Sequence, residues 1–267
     1  MHTALTIAGS DSGGGAGIQA DLKTFAAHGV YGTSAITAIT AQNTLGVLGW
    51  EAVSTALVVQ QIEAVLGDIG ADAVKIGMLA NAEIVSAVAR TLASRASLPI
   101  VVDPVMIAKG GDRLLETAAV AALKAELLPL AHTATPNIPE AEALAEMPIR
   151  SLADMRLAGA RIRRLGPRIV LVKGGHAEGS ESIDVAVMDA ETIEIRGPRL
   201  PGRHTHGTGC TLSSAIASNL AKGMPAEAAI RAAREYLEGA IRHAPQIGGG
   251  HGPLNHAWRH EGGGYTG

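Results

Sequence analysis

Short β-branched runs alternate with longer helical patterns along almost the whole chain, and this alternation constrains the fold more than any other feature. Strand-type runs such as Ala4–Ala8, Ala73–Ile76 and Ile169–Val172 are apolar nearly throughout, as is typical of strands covered on both faces. Helical segments such as Asp154–Leu165 separate them. Strands that alternate with helices of about 10–15 residues form βαβ units. The sequence therefore predicts an α/β fold with a mainly parallel central sheet.

One region departs from this alternation. The segments Ile183–Met188 and Thr192–Ile195 surround a short polar turn, which predicts a hairpin added at an edge of the sheet. The chain contains no internal repeat and no linker long enough to divide it. Its 267 residues are therefore expected to form a single domain, 1–267.

Composition excludes several classes of protein. A net charge of −3 and six aromatic residues argue against nucleic-acid binding, which needs basic grooves and stacking rings. No apolar run approaches the ~18 residues of a transmembrane helix, so no membrane partner is predicted. The single cysteine, Cys210, can form no internal disulfide. Because the N-terminal segment also lacks a signal-peptide pattern, we expect a cytoplasmic protein.

A first glycine-rich loop, Gly9–Gly17, follows a predicted strand and opens a helix. Glycines there let a ligand approach the backbone, and the helix N-terminus favours anions. A dinucleotide fingerprint would need an acidic residue about 20 positions later, but none lies between Leu22 and Trp50. The Rossmann interpretation therefore fails, which leaves a ligand-binding loop or a simple tight turn.

A second loop, Thr205–Thr211, stands directly before a predicted helix over Thr208–Ala221. The successive amides of Gly207, Thr208, Gly209 and Cys210 can form a concave anion site. At such a helix N-terminus we expect the pKa of the Cys210 thiol to be lowered towards neutral, which favours a reactive thiolate. The alternative for a lone cysteine is a small buried apolar side chain.

Polar side chains follow three predicted strands. Asp103 ends one, Asn137 and Glu140 follow another, and Lys173 ends a third. In open α/β sheets ligands bind beyond the carboxyl ends of the strands. Carboxylates suit Mg²⁺ and a lysine suits phosphate. Each residue alone is an ordinary polar loop residue, but their common placement predicts a magnesium–phosphate site.

These segments resemble, over essentially the full length, the bacterial hydroxymethylpyrimidine kinase / phosphomethylpyrimidine kinase family of thiamin biosynthesis, within the ribokinase-like superfamily. The matching stretches are AGSDSGGGAGIQADLKTF at 8–25, TAITAQNT at 37–44, KIGML at 75–79, VVDPVM at 101–106, TPNIPEAEAL at 135–144, KGGH at 173–176, HGTGCTLSSAI at 206–216 and GPLNH at 252–256. The resemblance implies a ribokinase-like three-layer sandwich, its mainly parallel sheet flanked by helices, and a homodimer.

The resemblance also implies an activity and its cofactors. The family uses ATP and Mg²⁺ to phosphorylate the hydroxymethyl group of 4-amino-5-hydroxymethyl-2-methylpyrimidine, and then converts the monophosphate to the pyrophosphate. Residues carried over to the pyrimidine pocket are Asp21, Gln42 and Met78, with Gly9, Ala16 and Val105 beside them. On the phosphate side, Asp103 and Glu140 are expected to act through Mg²⁺ and its waters, with Asn137 near them. Lys173 is expected to face the triphosphate. The anion hole is expected to be formed by Gly207, Thr208, Gly209 and Cys210.

Chemistry supports two of these roles. A carboxamide offers an acceptor beside a donor, so Gln42 can read the amino group and ring nitrogen of an aminopyrimidine. The first transfer deprotonates an alcohol, which makes a base at Cys210 useful. The second uses a phosphate oxygen already ionised near neutral pH, because the second phosphate pKa is about 6.

Alternative functions remain at this point. A pyridoxal or pyridoxine kinase of the same superfamily, or a kinase with both activities, would use the same fold and phosphate apparatus. Gln42 favours the pyrimidine, because vitamin B6 lacks the amino edge. A non-catalytic regulator that binds a small molecule or a nucleotide is disfavoured by the retained Asp103, Glu140, Lys173 and Cys210. The expected hinges are Gly110, Gly111 and residues 174–179.

Overall fold

The computed structural model describes residues 1–95, 97–106, 117–174, 181–200, 202 and 204–259, and within them nine strands form one sheet. The expected hinges at Gly110, Gly111 and residues 175–179 lie outside the described residues. The strands are β1 (Thr3–Asp11), β2 (Tyr31–Asn43), β3 (Gly46–Ala52), β4 (Ala73–Ile76), β5 (Ile100–Val102), β6 (Thr133–Ala134), β7 (Ile169–Val172), β8 (Glu181–Val187) and β9 (Thr192–Pro198).

Parallel pairing holds the centre of the sheet. The strand order is β3-β2-β1-β4-β5-β6-β7-β8-β9, and every pair from β2 to β7 is parallel. The hairpin β8–β9 joins β7 antiparallel at one edge, and β3 joins β2 antiparallel at the other. The predicted mainly parallel sheet and its added edge hairpin are confirmed.

Helices connect the parallel strands, as the βαβ pattern predicts. The described helices are α1 (Gly17–Ala27), α2 (Thr55–Asp68), α3 (Ala82–Ala93), α4 (Thr117–Ala122), α5 (Ile138–Ala145), α6 (Leu152–Arg163), α7 (Thr208–Ala221) and α8 (Ala226–Arg242). A π-helical turn, Leu123–Leu127, and a 3₁₀ turn, Leu128–Leu130, extend α4. In the described part of the chain, no helix combines the length and the apolar character that crossing a membrane requires.

Two apolar clusters cover the two faces of the sheet. Successive strand residues alternate between them: Val74 and Ile76 of β4 belong to one cluster, and Ala73 belongs to the other. Helices α2 to α6 pack on the first face and α1, α7 and α8 on the second. This alternation follows from the two-residue side-chain period of a strand. It produces the three-layer α/β/α sandwich that was expected.

The first strand extends further than the sequence indicates. A turn was expected from Gly9, but β1 continues to Asp11. It does so because Ser10 pairs with Ile39 and Asp11 with Thr40, after a register shift that follows Ala8. Hydrogen bonding to β2 therefore overrides the turn tendency of glycine, and it carries Asp11 out to the edge where ligands bind.

Candidate active site

A cavity of about 1000 Å³ lies at the carboxyl ends of the parallel strands. It brings together every predicted site residue except Asp21. The lining residues among them are Gly9, Ala16, Gln42, Met78, Asp103, Val105, Asn137, Glu140, Lys173, Gly207, Thr208, Gly209 and Cys210. Segments from most of the chain length thus meet in one pocket, as the common placement at strand ends predicts.

Asp21 does not line this cavity, so the structure does not place it beside the other residues expected at the pyrimidine pocket. Its side chain is fully buried, and Oδ2 accepts hydrogen bonds from Lys75 Nζ at 2.8 Å and Thr6 Oγ1 at 2.6 Å. Oδ1 accepts from Ser214 Oγ at 2.7 Å. Because both oxygens are occupied by protein donors, Asp21 serves to hold Lys75.

Lys75 lines the cavity and was missed by the sequence analysis. Burial acts to lower its pKa, but the negative charges of Asp21, Cys210 in its thiolate form, and Asp103 outweigh this effect and raise it. The ammonium group therefore keeps its charge beneath the pocket. One feature of the sequence could have indicated its importance: Lys75 is the single charged residue in the apolar run Ala73–Ile76. Because a lysine is rarely buried without a partner, a charged residue there predicts a buried ion pair.

Gly207 shapes the second glycine loop. Its φ of +83° lies in the left-handed region, and a Cβ there would collide with the carbonyl oxygen of Gly15. Helix α7 begins at the next residue, and its first intrahelical bond runs from Thr211 N to Gly207 O at 2.8 Å. The amides of Thr208, Gly209 and Cys210 thus have no place in the helical ladder, so this turn suits an anion.

The pKa expected for Cys210 is wrong. Burial raises the pKa of its thiol to about 11, and the carboxylates of Asp21 and Asp103 add to this. The Lys75 ammonium and a hydrogen bond from the Gly17 amide act in the opposite direction without cancelling it. At neutral pH the unliganded protein therefore carries a protonated thiol, because desolvation exceeds the field of the helix N-terminus.

Lys173 and Asp103 form an ion pair beside this loop. Lys173 Nζ lies 2.8 Å from Asp103 Oδ1, which also accepts a hydrogen bond from Thr135 Oγ1 at 3.1 Å. A Cβ on Gly209 would lie 3.1 Å from Asp103 Oδ2 and 3.2 Å from Lys173 Nζ. Burial acts to lower the pKa of Lys173, but Asp103 and Glu140 raise it. A permanent cation therefore stands at the helix N-terminus, where phosphate charge can be bound.

Asn137 and Glu140 form a capping box at the start of α5. Asn137 Oδ1 accepts from Glu140 N at 2.9 Å, and Glu140 Oε2 accepts from Asn137 N at 2.8 Å. Burial raises the pKa of Glu140, and the negative charge of Asp103 adds to this effect. The Lys173 ammonium acts in the opposite direction, and the resulting pKa is about 7. The box thus holds a buried carboxylate, incompletely compensated by Lys173, at the cavity wall.

The carboxylates of Asp103 and Glu140 fit a magnesium ion. The raised pKa of Glu140 shows that its negative charge would gain from a nearby cation. Among the described residues there is no group of three acidic, histidine or cysteine side chains that could enclose a metal. Two carboxylates suffice for Mg²⁺, because it prefers to complete its coordination with phosphate oxygens and water.

The opposite end of the cavity is more apolar. A Cβ on Gly9 would lie 3.2 Å from Met78 Sδ, so the strand backbone and the thioether pack closely against each other. Gln42 lines the same end, and its amide approaches His206. His206 in turn contacts the Asp11 carboxylate, with Nε2 and Oδ2 at 2.8 Å. The link between His206 and Asp11 joins residues 195 positions apart, so it depends on the tertiary structure.

Comparisons of sequence place the chain among kinases. The profile of the phosphomethylpyrimidine kinase family matches residues 11–255. The chain is 50% identical over 256 residues to the hydroxymethylpyrimidine/phosphomethylpyrimidine kinase of Haemophilus influenzae, which covers 94% of this chain and 95% of that protein. It is 52% identical over 252 residues to the thiamine biosynthesis bifunctional protein ThiED of Geobacter sulfurreducens. That match covers 94% of this chain but 51% of ThiED, so the chain spans about half of that relative.

Two solved structures show the same fold. The phosphomethylpyrimidine kinase of Clostridium difficile has a TM-score of 0.81 at 46% identity, covering 90% of this chain and 100% of that one. The pyridoxal kinase of Bacillus subtilis, solved as an ADP complex, has a TM-score of 0.90 at 35% identity, covering 98% and 99%. The ribokinase-like fold is thereby confirmed. Sequence identity is higher to the phosphomethylpyrimidine kinase, whereas the TM-score is higher to the pyridoxal kinase. The chain is a kinase and belongs to the phosphomethylpyrimidine kinase family.

Proposed function

We propose that this protein uses ATP to phosphorylate 4-amino-5-hydroxymethyl-2-methylpyrimidine, and then phosphorylates the monophosphate to the pyrophosphate in thiamin biosynthesis. One observation carries the proposal: a single cavity joins an end suited to a flat aminopyrimidine with an end suited to phosphate. Gln42 and Met78 lie at the first end, and Lys173 and the Gly207–Cys210 loop lie at the second.

Each end has a distinct task. The Gln42 carboxamide offers hydrogen bonds of both polarities to the amino group and ring nitrogen. At the phosphate end, the free amides at the start of α7 and the Lys173 ammonium stabilise charge on the transferring group. Because the donors are already oriented by the fold, little reorganisation is needed when charge develops.

Magnesium would be held by Asp103 and Glu140, largely through water, with Asn137 beside them. When bound there, the ion would neutralise phosphate charge and orient the triphosphate. Lys173 already compensates Asp103 at 2.8 Å. Glu140 is the less compensated carboxylate, so its contribution to binding the cation should be the larger of the two.

Cys210 is proposed to act in the first transfer, where an alcohol loses a proton. Because its pKa is about 11, only a small fraction of the thiol is ionised at neutral pH. The proposed base is this thiolate fraction, which the nearby Lys75 ammonium stabilises. The second transfer does not need it, since the attacking phosphate oxygen is already ionised.

Pyridoxal phosphorylation is a second candidate, because the Bacillus subtilis pyridoxal kinase shares this backbone with a TM-score of 0.90. A kinase assay decides between the two. The aminopyrimidine, its monophosphate and pyridoxal are supplied separately with MgATP, and product is quantified by mass spectrometry. We expect the two pyrimidines to be the better acceptors by kcat/KM. Turnover of pyridoxal alone would replace the proposed function with pyridoxal kinase activity.

A homodimer is also proposed. Strand β3 forms one edge of the sheet, and Leu45, Leu48 and Trp50 at this edge are 76%, 82% and 40% exposed. Exposed apolar side chains gathered at one edge are typical of protein interfaces. Sedimentation equilibrium should give twice the monomer mass for the wild-type protein and the monomer mass for Leu48→Glu.

A further inference from the structure

The amide of Gln42 has two polar neighbours, and together they determine which way round it faces. One terminal atom of the amide lies 3.3 Å from His206 Nε2, and the other lies 3.4 Å from Thr40 Oγ1. An amide can be turned by 180° with little change in shape, so its oxygen and nitrogen must be assigned from the hydrogen bonds around them.

The first neighbour, His206, presents a hydrogen to Gln42. Its Nε2 lies 2.8 Å from Asp11 Oδ2, which also accepts from the amides of Gly15 and Ala16. Burial acts to raise the Asp11 pKa, but His206 and the amides of Ala16 and Gly13 lower it, so the carboxylate is ionised and only accepts. His206 Nε2 must therefore carry a hydrogen, which is donated mainly to Asp11, and it has no lone pair with which to accept from the NH₂ group of Gln42. The Gln42 atom that faces it at 3.3 Å should be the carbonyl oxygen, which can share this hydrogen in a three-centre bond.

The second neighbour, Thr40, leads to the same assignment. Its hydroxyl has a single hydrogen, and this is donated to the Ser10 carbonyl oxygen at 2.8 Å. Towards Gln42 the hydroxyl can therefore only accept. With Nε2 towards His206, the Gln42 amide places a donor against a donor on one side and an acceptor against an acceptor on the other; turning the amide removes both mismatches. Oε1 then faces His206, and Nε2 faces Thr40.

We infer that Asp11 and His206 act as positioning residues that orient the Gln42 amide and thereby the substrate ring. The inference rests on the proposed function and deepens it. The carbonyl, held by His206, accepts a hydrogen bond from the amino group of the pyrimidine with its second lone pair. The NH₂ group, held by Thr40, donates its second hydrogen to the adjacent ring nitrogen. The amino group of the bound pyrimidine therefore lies on the His206 side, and the ring nitrogen lies on the Thr40 side.

Two substitutions at His206 test this orientation. Glutamine can place an amide N–H close to the position of the imidazole Nε2–H, whereas asparagine is too short to do so. The discrimination ratio is kcat/KM for the aminopyrimidine divided by kcat/KM for 5-hydroxymethyl-2-methylpyrimidine, which lacks the amino group but keeps the acceptor alcohol. Damage to the phosphate end affects both substrates and cancels in this ratio.

We expect His206→Asn to lower the discrimination ratio about tenfold and His206→Gln to restore most of it. In a Gln42→Leu background, His206→Asn should change the ratio by less than about twofold, because the group it orients is gone. His256→Asn is the matched control. His256 is a buried histidine that contacts α7 through Thr211 at 3.0 Å, and its replacement should leave the ratio unchanged.

An unchanged ratio in His206→Asn overturns the inference, as does an equal loss in the Gln42→Leu background. Failure of the proposed function has a different signature, because wild-type protein would then phosphorylate neither pyrimidine. That result removes the inference as well. Circular dichroism spectra and thermal melts of each variant verify that the ratios are measured on folded protein.

Discussion

Two lysine–aspartate pairs lie at this cavity, and each joins Nζ to a carboxylate oxygen at 2.8 Å. They differ in exposure. Both side chains of Lys75–Asp21 are 0% exposed, whereas Lys173 is 15% exposed and Asp103 is 2% exposed. The first pair is therefore closed to solvent, although Lys75 borders the cavity, whereas the second pair reaches solvent through Lys173.

The surroundings of the two pairs explain this difference. Asp21 receives further hydrogen bonds from Thr6 and Ser214, so the buried pair is satisfied by the protein alone. In the second pair, the Oδ2 atom of Asp103 lies next to Gly209, at the start of α7. A closed pair supports the fold and the electrostatic field, and an open pair remains available to a charged ligand. We therefore expect substitutions in the first to affect mainly stability, and substitutions in the second to affect mainly catalysis.

The largest effect is expected from breaking the closed pair. Lys75→Met leaves the Asp21 carboxylate buried without a counter-charge, which should lower the free energy of unfolding by about 3–5 kcal/mol. Urea denaturation at pH 7 measures this loss. The double variant Lys75→Met/Asp21→Asn removes both charges and should recover most of it. A loss below about 1 kcal/mol in the single variant would contradict the description of this pair as structural.

The next effect is expected at the open pair. Lys173→Met removes the cation beside the anion loop and should reduce kcat by about 10²–10³-fold. The free energy of unfolding should fall by clearly less than in Lys75→Met, because Lys173 is 15% exposed and Asp103 keeps its hydrogen bond from Thr135. Steady-state kinetics and urea denaturation on the same preparation test both halves. A stability loss as large as that of Lys75→Met would erase the distinction between the pairs.

Cys210 lies between the two pairs, and its pKa responds to Lys75, Asp21 and Asp103. Cys210→Ala should slow the first phosphorylation about 100-fold and the second by less than about threefold, because only the first removes a proton from an alcohol. Each half-reaction is measured with its own substrate supplied alone. Equal losses in both would exclude the base role.

The same residue predicts a pH dependence. With a thiol pKa of about 11, the thiolate fraction rises about tenfold for each pH unit between 7 and 9. The kcat/KM of the first transfer should therefore increase with pH in the wild-type protein. The increase should be absent in Cys210→Ala and absent from the second transfer. A wild-type rate that does not change over this range would show that the thiolate is not the reacting form.

The smallest effect is expected at the ring end of the cavity, away from both pairs. Gln42→Leu leaves the polar edge of the substrate without partners, which should cost about 1–3 kcal/mol in kcat/KM for the aminopyrimidine. Stability should be nearly unchanged, since Gln42 borders the open cavity. An unaltered kcat/KM would show that another residue recognises the amino group.

Residues recognised by local pattern were placed correctly in the cavity. Asp103, Glu140 and Lys173 each follow a strand, and parallel strands end at one edge, so their meeting was predictable. The left-handed turn before α7 was predictable because glycines that precede an apolar helix permit this backbone conformation. These inferences depend only on neighbours along the chain and on strand direction.

Residues whose role depends on distant partners were not placed correctly. Asp21 lies in a motif that the resemblance assigned to the substrate pocket, yet it is held by Lys75, which is 54 residues away. The pKa of Cys210 was predicted from the helix field alone, because its burial is invisible in the sequence. The Asp11–His206 contact joins residues 195 positions apart. No local pattern reports such pairings.

The sequence by itself determined the layered α/β fold, the edge of the sheet that binds ligands and the two glycine loops. The reason is that hydrophobic period, glycine placement and strand direction are local properties of the chain. Tertiary structure decided which charges are closed off from water, which remain open to a ligand and how the Gln42 amide is turned. Those outcomes depend on desolvation and on the full set of hydrogen-bond partners, and both exist only after distant segments have packed together.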